Sequence, residues 1–206
     1  MKVLLINGSP HEKGCTYTAL SLIAGELKAQ GIETEILHVG GQPVGGCIGC
    51  GGCRSGNGCV FGGVVNEAIE KAKTADAFVF GSPVHYASAA GNMASFMDRL
   101  AYAGGKYLAY KPAAVCCSAR RAGTTSTLDQ LVKYPQFFHM PLVNGSYWAM
   151  VHGSNPEQVL QDAEGCAVMQ ELGRNMAWLL RCIELGKANG ITHPENPRRP
   201  MTNFIR

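Results

Sequence analysis

The chain has 206 residues, 46% of them apolar and 16% charged, a composition that predicts one folded domain with a sizeable core and excludes disorder. A net charge of +3 with no concentrated basic face excludes an electrostatic nucleic-acid surface. No apolar run approaches the roughly 20 residues of a membrane-spanning helix.

Lys2 to Asn7 is a short run rich in branched apolar residues and predicts a first strand. Polar Asn7-Gly8-Ser9 follows too soon for a signal peptide, and nine cysteines without an export signal point to a reducing cytoplasm. The loop Gly8-Ser9-Pro10-His11-Glu12-Lys13-Gly14-Cys15-Thr16 leads into a predicted helix over 14–30, which carries Leu20, Ile23, Ala24 and Leu27 and stops at Gly31. Hydroxyls and free N–H groups at a helix start suit a single terminal phosphate. Lys13-Gly14 reverses the Gly-Lys of a Walker loop, and the run is not G-x-G-x-x-G. The plain alternative is a capped turn with Ser9 or Thr16 as N-cap. The helix dipole at Cys15 would lower a thiol pKa, although a small residue offering its backbone N–H to phosphate also fits.

A second strand is predicted over 33–39, then a loop over 40–62 holding Cys47, Cys50, Cys53 and Cys59 in the spacing C-x2-C-x2-C-x5-C. Thiolates are soft ligands, and the surrounding glycines permit tight folding, so this loop suits an iron–sulfur cluster or zinc. Structural zinc usually draws on two separated pairs. Cluster, reduced thiols or labile disulfide, and zinc all remain open on spacing alone. A helix over 64–73 and a buried strand over 77–81 follow, after which Pro83 is expected to turn Ser82-Pro83-Val84-His85-Tyr86 out of regular pairing.

The next helix, over 89–102, carries Met93, Phe96, Met97 and Leu100 on one face. A strand over 113–118 places Cys116 and Cys117 on opposite faces, as small buried hydrophobes. It opens into Ser118-Ala119-Arg120-Arg121-Ala122-Gly123-Thr124 and a helix over 125–138. A last strand over 142–150 carries Trp148, expected in the core or a subunit interface. A long helix over 159–187 shows the stripe Leu172, Met176, Leu179, Ile183, with Cys166 and Cys182 packed as small apolar residues. One domain is expected over 1–190, with an irregular tail over 191–206. Five strands alternating with helices predict a parallel sheet covered on both faces, with ligands beyond the carboxyl ends of strands one, three and four.

Gly8-Ser9-Pro10 through Gly14-Cys15-Thr16, joined to Ser82-Pro83-Val84 through Phe96-Met97-Asp98-Arg99-Leu100, resembles the NAD(P)H-dependent FMN reductase branch of the flavodoxin-like proteins. The compact cysteine loop resembles that of the iron–sulfur flavoproteins of this superfamily. The resemblance implies a flavodoxin-like three-layer α/β/α sandwich with a five-stranded parallel sheet in the order 2-1-3-4-5. It implies FMN, with Ser9, Gly14, Cys15 and Thr16 on its phosphate and Pro10 in the same loop. Pro83, Val84, His85 and Tyr86 would border the ring, and Ser118, Ala119, Arg120, Arg121 and Gly123 would close its polar edge. It further implies a [4Fe-4S] cluster on Cys47, Cys50, Cys53 and Cys59, and homodimers or homotetramers. Electrons would pass from NAD(P)H through FMN to a small molecule or a protein, with His85 or Tyr86 as proton relay. The rival expectations are an electron carrier partnered with ferredoxin and a thiol or cluster redox sensor. In the family the phosphate loop often has Arg near His11 and Asn at Cys15, and this chain departs from both.

Overall fold

The computed structural model describes residues 1–195 and residue 202. Its elements in chain order are β1 (Lys2–Asn7), α1 (Cys15–Ala29), β2 (Glu33–His38), α2 (Val64–Thr74), β3 (Ala77–His85), β4 (Ser88–Ala89), α3 (Gly91–Gly104), β5 (Ala113–Ala119), α4 (Thr124–Phe137), β6 (Met150–His152), α5 (Pro156–Val159) and α6 (Ala163–Ala188). Residues 191–195 have no regular structure, and most of the expected tail lies outside the described residues.

Alternation along β1 sets the layers, because successive side chains of a strand point to opposite faces. Val3 and Leu5 join a core formed with Leu20, Ile23 and Leu27 of α1 and Leu172 and Met176 of α6. Leu4 and Ile6 join the other, with Val65 and Ile69 of α2 and Met93, Phe96 and Met97 of α3. Both faces are covered, so the strands read as near-continuous apolar runs. The parallel strands run β2-β1-β3-β5-β6, which is the expected 2-1-3-4-5 when the short β4 is set aside. The order reverses between β1 and β3, and the carboxyl ends there form the crevice where such sheets bind ligands.

Several elements differ from the sequence reading. β3 does not stop at Gly81: Pro83 stays in register with Ser118 of β5, and the strand continues into a hairpin with β4. Proline is tolerated because β1 pairing ends at Gly81, leaving that side of β3 without a partner strand. The segment 142–150 is not one strand. Leu142 forms an isolated bridge to Ala113, and regular pairing resumes only at Met150. In between, Asn144-Gly145-Ser146 turns away and is held by α6: the Ser146 N–H donates to Glu171 Oε2 at 2.7 Å and Asn175 Nδ2 to the Asn144 carbonyl at 2.8 Å. Trp148 is consequently 59% exposed rather than in the core.

The long helix starts at Ala163, not Val159, because the Asp162 side chain caps it by accepting from the Gly165 N–H. Its buried stripe is Val168, Met169, Leu172, Met176 and Leu180, so Leu179 and Ile183 sit at the margin and Cys182 is exposed. Cys116 and Cys117 are buried as expected, and burial pushes both thiols up, Cys117 to about 12.

Candidate functional site

β1 delivers Asn7 wholly buried to the sheet edge. Its Nδ2 donates to the Glu12 carbonyl at 2.9 Å and its Oδ1 accepts from the Ser9 N–H at 3.1 Å, so one side chain frames the loop over 8–14. His38 Nε2 lies 2.8 Å from the Ser9 carbonyl, which only accepts, so that nitrogen carries the proton. Where the chain leaves β2 it crosses this loop so closely that a Cβ on Gly40 would collide with the Ser9 carbonyl.

α1 begins after Gly14, and no side chain caps it. Neither expected N-cap serves: Ser9 Oγ accepts from the His11 N–H at 3.1 Å, and Thr16 Oγ1 pairs with Ser118 Oγ at 2.9 Å. The first N–H groups of α1 therefore carry the positive end of the helix dipole without a side-chain acceptor, as an anion site requires. Burial, against a lowering hydrogen bond with its own backbone N–H, pushes the Cys15 thiol up rather than down. Its Sγ donates to the Gly153 carbonyl at 3.6 Å.

A cavity of about 150 Å³ lies beyond β1, β3 and β5. It brings together Ser9, Cys15 and Thr16, then Pro83, Val84 and His85, then Ser118, Ala119 and Arg120. His11 and Gly153 complete the lining. Gly153 went unread in the sequence; the signal was a glycine directly after the last strand, at the same sheet edge.

Pro10, Gly14, Tyr86, Arg121 and Gly123 do not line this cavity. Pro10 faces a neighbouring hollow with Glu12 and His38, Gly14 caps α1, and Arg121 is exposed. Tyr86 and Ala87 form the two-residue tip of the β3–β4 hairpin at φ 51° and 59°, with Tyr86 fully exposed. Gly123 caps α4 at φ 90° against Ala87. From α4, Ser126 Oγ donates to the Ala87 carbonyl, while Gln130 Oε1 accepts from Ser88 Oγ and the Ala89 N–H.

The cysteine loop lies along α3. Asn92, Ser95, Arg99 and Tyr102 recur at helical spacing and share one face. Asn92 Oδ1 accepts from the Val44 N–H at 3.2 Å, and its Nδ2 donates to the Gly40 and Gln42 carbonyls. Arg99, only 7% exposed, donates from Nε to Cys59 Sγ at 3.2 Å. From α2, Asn66 accepts from the Cys59 N–H at 2.8 Å and donates to its carbonyl at 3.0 Å.

Cys47, Cys50, Cys53 and Cys59, all free thiols, line a second cavity of about 190 Å³ with Ile48, Phe61, Arg99 and Tyr102. Among the described residues no three His, Cys, Asp or Glu side chains are grouped around a single ion position. Mononuclear zinc needs its sulfurs at about 2.3 Å from one point, whereas a cluster takes one sulfur on each metal atom. The four thiols share this hollow with the Arg99 guanidinium. Arg99 stands eight residues into α3, about 12 Å from its start, and the two cavities share no lining residue.

A parallel sheet in this order with helices on both faces, its crevice at the switch point beside an uncapped helix start, is a flavodoxin-like fold. Residues 1–155 match NADPH-dependent FMN reductase, and the chain belongs to that family. It is an FMN-dependent oxidoreductase. An iron–sulfur flavoprotein of Methanocaldococcus jannaschii is 28% identical over 192 residues, covering 89% of this chain and all of that one. The iron–sulfur flavoprotein of Methanosarcina thermophila is 23% identical over 189 residues, covering 89% and 97%. The crystal structure of RosB with bound 8-demethyl-8-formylriboflavin-5'-phosphate shares the fold, with a TM-score of 0.70 at 14% identity over 100% of this chain and 93% of that one. No helix among the described residues is long and apolar enough to cross a membrane.

Proposed function

We propose that this oxidoreductase carries two redox groups, FMN in the carboxyl-edge cavity and a [4Fe-4S] cluster on Cys47, Cys50, Cys53 and Cys59. The observation that carries the reading is the pairing in one chain of an uncapped helix start at a switch-point crevice with four free thiols around a separate hollow. Relatives named iron–sulfur flavoproteins over nearly their whole length support it. Bound FMN would exchange a hydride or single electrons, and the cluster single electrons.

The chain's own residues do the rest. Ser9, Cys15 and Thr16 present hydroxyl and backbone N–H groups to the phosphate, with Gly14 setting the helix start and Pro10 the loop. Pro83, Val84 and His85 border the ring, and Ser118, Ala119 and Arg120 its polar edge. Arg120 would stabilise negative charge on the reduced ring, and His85 would hold or relay a proton there. Tyr86, projecting from the hairpin tip against which Gly123 packs at Ala87, and exposed Arg121 would reach the outer face of the site. NAD(P)H is the proposed donor for a quinone-type or flavin acceptor, and ferredoxin the proposed protein partner. Exposed Tyr147 and Trp148 favour a homodimer or homotetramer, and nine free thiols favour a reducing cytoplasm.

Purification without oxygen tests this directly. The expected product shows two flavin absorption bands on broad brown absorbance, with iron and sulfide in the preparation. Cys50→Ser should then lose most of its iron while keeping FMN. A protein that binds FMN yet holds no iron after anaerobic reconstitution would remove the cluster and leave a flavin-only reductase.

A further inference from the structure

We propose that Arg99 is a positioning residue for the four-cysteine cavity, one that draws the loop into shape and sets the electrostatic field at Cys59 Sγ. The proposal rests on reading that cavity as a cluster site. It follows from where the guanidinium's donors go and from what does not compensate its charge.

The guanidinium sits at the loop's closure. Nη1 donates to the Gly45 carbonyl at 3.4 Å and Nη2 to the Gly62 carbonyl at 3.0 Å, two residues that flank the four cysteines. Nε donates to Cys59 Sγ at 3.2 Å. One rigid fork thus ties both ends of the loop and contacts its last ligand, which a lysine ammonium, as a point charge, cannot reproduce. Cys59 is fixed a second time by Asn66, so its sulfur has less freedom than those of exposed Cys47 and Cys50.

The charge balance points the same way. A buried cation is costly unless an anion faces it. Every described ion pair involves other residues. Adjacent Asp98 is engaged by Tyr134 Oη at 2.6 Å. Among the described residues, the hydrogen bonds and ring contact of Arg99 go to two carbonyls, the Cys59 sulfur and the Phe61 ring, 5.5 Å away, and to no carboxylate. The negative charge that matches it belongs to the sulfurs and to the anionic group they hold. A positive charge and an N–H···S hydrogen bond favour the more electron-rich state of such a group, so Arg99 raises its reduction potential.

The test uses the full chain, reconstituted anaerobically with iron and sulfide, as wild type, Arg99→Lys and Arg99→Met. Iron per chain, FMN per chain and the midpoint potential from an EPR-monitored redox titration are measured. The expected result is wild-type FMN in all three, with a downward shift in potential for Arg99→Met and a smaller one for Arg99→Lys. Should Arg99→Met fail to retain iron while FMN is unchanged, Arg99→Lys retaining part of the iron at a lowered potential supports the proposal. Wild-type iron and potential in Arg99→Met overturns it. Parallel loss of iron and FMN in both variants also overturns it, since Arg99 would then serve the fold alone. Absence of iron in the wild type rejects the cluster reading itself, a separate result.

Discussion

Asn7 frames the loop over 8–14 without lining the cavity itself. It satisfies the Ser9 N–H and the Glu12 carbonyl from a wholly buried position. Asn7→Ala strands both groups, which should lower unfolding free energy by about 1–3 kcal/mol in urea melts of the apoprotein. It should also weaken FMN about tenfold, or ~1.4 kcal/mol, in a fluorescence titration; unchanged affinity would show that the loop frames itself. Cys15 belongs to the same scale. Because burial holds it as a thiol, alkylation near neutral pH should label exposed Cys47 and Cys50 in the apoprotein long before Cys15. Mass mapping that finds Cys15 among the first labelled sites would contradict this. The Ser9–Thr16 loop was legible because its residues are contiguous and open a helix. The roles of Arg99 were not, because its partners Cys59, Gly45 and Gly62 lie 40, 54 and 37 positions away in the chain. A lone arginine among the apolar residues of α3 was the only signal.

At the scale of elements, α1 and α6 approach so closely that glycine is required between them. A Cβ on Gly173 would lie 2.8 Å from both the Ile23 carbonyl and the Glu26 Cβ. Gly→Ala in a helix interior gains up to about 1 kcal/mol in propensity, but overpacking costs about 1–3 kcal/mol, and here the colliding atom is backbone. Gly173→Ala should therefore destabilise by ~1–2 kcal/mol. Gly25 of α1, exposed with open space around it, is the control, and Gly25→Ala should stabilise by up to ~1 kcal/mol. Chemical denaturation of both variants decides the matter, and a stabilised Gly173→Ala would mean that α6 can slide. The strands with unbroken apolar runs, β1, β3 and β5, were readable because burial on both faces leaves no other pattern. The segment over 142–150 misled because its apolar content comes from packing near α6, while Asn144-Gly145-Ser146 turns it off the sheet. The β3–β4 hairpin escaped notice for a different reason. Its tip is Tyr86-Ala87 at positive φ, not the Asn-Gly such turns favour, and α4 side chains hold it instead.

For the whole molecule, the buried strand β5 is a pH-sensitive element. Cys116 and Cys117 sit side by side in β5, both pushed up by burial, Cys117 to about 12. Unfolding releases them to the ordinary thiol value of roughly 8.5. Below that value both states hold the protons and stability does not depend on these thiols. Above it the unfolded chain ionises while the folded one cannot, so the unfolded state binds fewer protons and stability falls with rising pH, until the folded thiols titrate. The slope is at most about 1.4 kcal/mol per pH unit for each thiol. Tyr134, raised by burial and by Asp98, acts in the same direction at higher pH, whereas Lys111, lowered by burial, opposes it. Urea unfolding of the reduced apoprotein between pH 7 and 11 should therefore show a decline beginning near pH 8.5. Cys116→Ser with Cys117→Ser replaces two ionisable groups by hydroxyls of similar size and should make that decline shallower, leaving the contributions of Cys15, Cys166 and Tyr134, which are raised in the same sense. A double variant with the wild-type slope would place the alkaline sensitivity outside β5.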